Sequence, residues 1–136
     1  MTGQRREARG RTAQPGYAEF AVATGPLAFV AGQCPLDDDG ALVGEGDVVA
    51  QTVQVAANLR RRLEELDADP NAVVRTTVYV VGDDAALTAA WSQLRASGIT
   101  GDPMAPSTLL GVTRLGYVGQ LVEVDAVVAL DPADGA

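Results

Sequence analysis

The amino-acid sequence predicts an α+β domain of order ββαβαββ, two helices laid on one face of a sheet, and three features of its 136 residues carry that expectation. The length suits one domain, and 47% hydrophobic with 21% charged residues is ordinary globular composition, so one compact core is expected. Two stretches place apolar residues at helical spacing, and they alternate with short runs rich in β-branched residues. The last such run is apolar on one face and mixed on the other, so helices on one side of the sheet leave a second side to be covered.

Taken in order, residues 1–15 read as a flexible leader, 16–131 as a single domain and 132–136 as a flexible tail. Two apolar runs, Phe20 to Ala23 and Leu27 to Ala31, flank the Gly25-Pro26 turn signal and read as a hairpin. The acidic, glycine-containing stretch from Asp37 to Asp47 then reads as an ordered surface loop. Asp47 suits an N-cap, and Val49, Val53, Ala56, Leu59, Leu63 and Leu66 follow at spacings of three and four, the stripe of an amphipathic helix. Val73 to Val81, with Tyr79, suits a central strand. A second helix is capped by Asp83 or Asp84, turns Leu87, Trp91 and Leu94 inward, and ends where Gly98 can take a left-handed conformation. Ser107 to Thr113 and Leu121 to Leu130 supply two more strands around a turn at Gly116 to Gly119. Along the last strand Val122, Val124, Ala126 and Val128 point one way, while Leu121, Glu123, Asp125 and Val127 point the other. An uncovered face of this kind marks an interface between copies, with closed symmetry expected.

Composition excludes several classes of function. The longest apolar stretches, such as Val78 to Val81 and Ala126 to Leu130, fall far short of the roughly 20 residues that span a bilayer, so no membrane partner is expected. The N-terminus lacks an apolar run of the secretory kind, and Cys34 is the only cysteine, which fits a reducing cytoplasm. Zero histidines and one cysteine remove most structural zinc schemes. The net charge is −8, and Arg5, Arg6, Arg9 and Arg11 lie in the leader, so the body is more acidic still and nucleic acid is not an expected partner. The basic run Arg60, Arg61 and Arg62 sits in a helical pattern and reads as a solvated face.

Across about residues 16 to 130 the sequence resembles the RidA/YjgF group, also called the endoribonuclease L-PSP family. The resemblance is carried by Gly16-Tyr17, by the run from Phe29 through Gly32, Gln33 and Cys34 to Leu36, by Ala50-Gln51-Thr52 and Asn58-Leu59, by Val74 to Tyr79, and by Leu121 to Ala126. It implies a chorismate-mutase-like fold in a homotrimer, with ligand pockets between subunits and no metal or organic cofactor. Members of the best-known branch hydrolyse reactive enamines and imines such as 2-aminoacrylate to keto acids and ammonia. There an arginine before the fourth strand binds the substrate carboxylate, and a glutamate on the last strand handles the attacking water. The acid is matched by Glu123, but Met104-Ala105-Pro106-Ser107 puts Pro106 in the arginine's place, where no bidentate clamp is possible. An asparagine often found on the second helix is replaced by Trp91. Tyr17, Ala31, Gly32, Ser107 and Thr108 fall at pocket-lining positions, and the departures resemble the arginine-lacking branches of the family.

Two readings stay open for Glu123. In an apolar subunit boundary a carboxylate is expected to have a raised pKa and to shuttle a proton; alternatively it is a structural acid bonded to loop amides or near Gly32. Asp125, about 6.5–7 Å along the same strand, reads as structural or as part of the rim. Arg114 lies about 23 Å along the strand from Ser107, too far to stand in as a clamp. Without a histidine to act as base, Cys34, Ser107 and Thr108 are poor nucleophiles, although the hydroxyls can hold a ligand or water. Trp91 reads as core or as a ligand platform. The expected function is cofactor-free hydrolysis or tautomerisation of a small enamine, imine or related carbonyl compound. Its substrate is then neutral, or has its carboxylate held by backbone amides near Gly32. The alternative is a non-catalytic small-molecule-binding trimer, a sensor, a chaperone-like module or an accessory of a biosynthetic pathway; ribonuclease activity is the weakest reading.

Overall fold

A computed structural model describes residues 7–9 and 16–132. Its elements in chain order are strands β1 (Glu7–Arg9), β2 (Phe20–Val22) and β3 (Leu27–Gln33), helix α1 (Val48–Glu65), a 3-10 turn at Pro70–Ala72, β4 (Val73–Val80), α2 (Asp84–Ser97), β5 (Ser107–Gly111) and β6 (Val122–Ala129). Strands β3, β6, β4 and β5 form a four-stranded sheet in that order. The β3–β6 and β6–β4 ladders are antiparallel and β4–β5 is parallel, as the crossover through α2 requires.

The expected hairpin is not formed. Strand β2 pairs with β1 in a separate two-stranded ladder, Ala21 opposite Ala8, while β3 pairs with β6, Phe29 opposite Val127. Gly25 at φ +84° does turn the chain there, but it redirects β3 into the main sheet, where the apolar face of β6 is a better partner than three residues of β2. Part of the stretch expected as a leader, Glu7–Arg9, thus lies in a ladder; the rest of 1–15 and residues 133–136 lie outside the described residues. The large sheet is correspondingly four strands wide.

The helix ends follow the sequence. Asp47 accepts from Ala50 N at 3.0 Å, Asp83 accepts from Ala86 N at 3.0 Å, and Gly98 closes α2 in the left-handed region at φ +69°. On α1 the buried face is rotated from the expected stripe. Gln51, Thr52, Val55, Ala56, Leu59 and Leu63 are buried, whereas Val49 and Val53 are exposed. The rotation comes from Gln51, whose amide finds three backbone partners in the interior and so replaces an apolar contact there.

Both helices cover the same side of the sheet. Val122, Val124, Ala126 and Val128 of β6, with Val78 and Val80 of β4, meet Val55, Leu59, Leu63, Ala90 and Leu94 in one buried cluster. The opposite side is open: Phe29 is 78% exposed, and Leu27 and Leu110 are exposed as well. No helix among the described residues is long and apolar enough to cross a membrane.

Candidate functional site

The candidate acid stands at one end of this open face. Glu123 is the second residue of β6, opposite Tyr79 of β4, and alternation places it away from the helices. Its Oε1 accepts from Gln120 Nε2 at 3.1 Å and from the Cys34 thiol at 3.4 Å. Its other oxygen lies over Gly32, where an added Cβ would overlap Oε2. The register slip between Val30 and Gln33 brings Gly32 to that position.

Helix α1 holds the surrounding loops. Asn58 Nδ2 donates to the carbonyls of Cys34 and Leu36 at 2.8 and 2.9 Å, which fixes the thiol beside Glu123. Gln51 donates to Gly44 O and Gly119 O and accepts from Leu121 N, tying the start of β6 to the helix. Gln120, itself buried, uses its amide oxygen to accept from Tyr117 N and its amide nitrogen to reach Val122 O and Glu123. These amides were not singled out as site residues in the sequence; Gln51 and Asn58 stood within family-like motifs, and only Gln120, next to the Gly119 turn, had no signal.

The thiol is pushed up to about 11, first by burial and then by the negative charge of Glu123. It is therefore a neutral donor to the carboxylate and a poor nucleophile at neutral pH. A cavity of about 350 Å3, lined by Gly32, Cys34, Asn58 and Tyr117 among others, opens on the same loop.

Asp125 is engaged differently. Its two oxygens accept from Thr77 N at 3.0 Å and Tyr79 OH at 3.1 Å, and burial followed by this hydrogen bond raises the tyrosine's pKa. The aspartate is thus a fastener between β6 and β4.

The remaining sequence candidates fall into two other groups within one chain. Thr108 lies on the open face beside Thr77, two strands and roughly 10 Å from the line of β6, and accepts from Arg75 Nη2 at 2.7 Å. Ser107 points to the helix side, sharing a 2.7 Å hydrogen bond with Thr76 and donating to Ala105 O. Pro106 precedes them, and its carbonyl accepts from Thr76 N at 3.1 Å. Tyr17, bridged to Met104, stacks edge-on against Trp91 at 5.8 Å, and both rings pack on the core. Ala31 is exposed in the β3 bulge next to Gly32. In the basic run Arg60 and Arg61 are exposed and Arg62 is half-buried, Arg61 pairing with Asp38 at 2.6 Å and Arg62 with Glu65 at 2.9 Å.

The fold and this acid define a class: two-helix α+β proteins with a carboxylate, held by neutral donors, on an uncovered sheet face. The chain belongs to the Endoribonuclease L-PSP family, whose model matches residues 9–130. Protein DfrA of Myxococcus xanthus is 35% identical over 108 residues, 78% of each chain. A RutC family protein of Pyrococcus abyssi is 42% identical over 60 residues, a match spanning 44% of this chain and only 47% of that protein. Among solved structures, YyfB of the Rid protein family from Yersinia pestis superposes with a TM-score of 0.83 at 32% identity, covering 93% of this chain and 99% of that one.

Proposed function

We propose that the chain is a cofactor-free hydrolase or tautomerase of small enamines, imines or related reactive carbonyl compounds, acting in the cytoplasm as a homotrimer whose pockets form where open sheet faces meet. The observation that carries this reading is the mounting of Glu123. One oxygen is held by Gln120 and Cys34, and the other is kept clear of side chains by Gly32. A carboxylate so fixed can take a proton from water as the oxygen adds to the carbon of a C=N bond, and can return it to the nitrogen. The resulting carbinolamine loses ammonia and leaves the carbonyl. Starting from an enamine, the same group moves the proton that converts it to the imine.

Release of ammonia and keto acid from enzymatically generated 2-aminoacrylate tests this on the wild type, Glu123→Gln and Pro106→Arg. Acceleration by the wild type that Glu123→Gln loses supports the reading. Activity in Pro106→Arg alone would favour the second reading, a non-catalytic small-molecule-binding trimer. That reading draws on Pro106 itself, which supplies no cation beside Ser107. The ribonuclease named in the family's description draws no support from a net charge of −8.

A further inference from the structure

Among the strand residues of the open face there is one cation, Arg75, and nothing described on the chain neutralises it. Arg75 stands opposite Val127 on the exposed side of β4. The ion pairs among the described residues join Arg61 to Asp38 and Arg62 to Glu65, and Arg75 is in neither. Its hydrogen-bond partner is a neutral one, the hydroxyl of Thr108 at 2.7 Å. That contact uses one of five guanidinium N–H donors, while the hydroxyl keeps its own hydrogen to donate.

Phe29, Val127 and Leu110 make this face one that calls for cover, and a guanidinium covered without a counter-ion is costly. Whatever lies over Arg75 must bring negative charge. Within the chain the carboxylates of this face are engaged elsewhere, Asp125 with Thr77 and Tyr79 and Glu123 with Gln120 and Cys34, so neither pairs with Arg75. We infer that Arg75 and Thr108 form a binding site for a small carboxylate, the guanidinium bonding both oxygens and the hydroxyl donating a third hydrogen bond. The inference rests on the proposed function only in making that carboxylate part of the substrate. It replaces the expectation of a neutral substrate, or of one held by amides near Gly32, with an anionic one held from β4 and β5.

The test is a titration followed by NMR, at low salt, of butanoate against butanamide, which share a shape and differ in charge. The wild type is expected to bind butanoate at least about tenfold more tightly than the amide, a preference that Arg75→Gln abolishes and Arg75→Lys keeps in part. Thr108→Val, which leaves the charge in place, is expected to weaken butanoate binding less than Arg75→Gln does. Equal affinities in the wild type, or a preference that survives Arg75→Gln, would overturn the site. So would an Arg75→Gln variant that changes only subunit association in sedimentation, since the cation would then serve a contact between copies. Glu123→Gln is titrated alongside: intact butanoate preference with unaltered turnover would sink the catalytic reading and leave this site standing.

Discussion

Two carboxylates two residues apart on one strand, Glu123 and Asp125, face the same side of the sheet and are held in opposite ways. Asp125 receives a backbone N–H and a tyrosine hydroxyl from the neighbouring strand, so both its oxygens belong to the β4–β6 ladder. Glu123 receives an amide and a thiol from loops on one oxygen, with the other over a bare glycine. The difference separates an acid that fastens the sheet from one that the sheet merely carries, and the proposed function rests on the latter.

The largest expected effect comes from filling the space beside the second acid. In Gly32→Ala the new Cβ displaces the Glu123 carboxylate, and turnover in the 2-aminoacrylate assay is expected to fall about 100-fold while unfolding by denaturant changes little. Asp125→Ala is expected to do the reverse, lowering stability by about 1–3 kcal/mol because the Thr77 N–H loses its acceptor, with turnover nearly retained. Should Asp125→Ala cost as much turnover as Gly32→Ala, the contrast between the two acids would collapse.

The smallest effect sharpens the Glu123 side. Removing the charge in Glu123→Gln is expected to lower the Cys34 pKa from about 11, but not back to its ordinary 9.0, since burial is the larger cause. Alkylation by iodoacetamide followed against pH reads the shift, and an unchanged profile would mean that thiol and acid do not communicate. The folded-state pKa lies above the ordinary one, so the stability linked to this thiol is whole below about pH 9 and is lost as pH rises towards 11.

Much of the frame was legible in the sequence because it is written in local chemistry. Asp47, Asp83 and Gly98 cap the helices as their side chains, or lack of one, dictate, and the alternation of β6 assigns its two faces. Pairing was not legible: Gly25-Pro26 announces a turn, yet nothing local says whether the strands beyond it meet each other or more distant partners. The α1 stripe failed for a related reason. Hydrophobic periodicity ranks Val49 above Gln51, and only the loops that Gln51 binds, up to 70 residues away, reverse the order. At the site the sequence shows Glu123 and Gly32 as a pair, whereas Cys34 reads there only as a poor nucleophile and Gln120 gives no signal. Their roles arise only when the loop after β3 and the turn before β6 are brought against one carboxylate.

The strand order β3, β6, β4, β5 also bears on biosynthesis. The strand that joins β3 to β4, paired on both edges and lined by the core, comes after all the other described elements in chain order. Until β6 emerges, β3 and β4 have no common neighbour and α1 no finished surface to rest on, so the nascent chain exposes apolar helix faces and unpaired strand edges. A stop codon or frameshift that removes β6 would thus leave only the β4–β5 ladder of the main sheet, and quality-control proteases would be expected to degrade such a product.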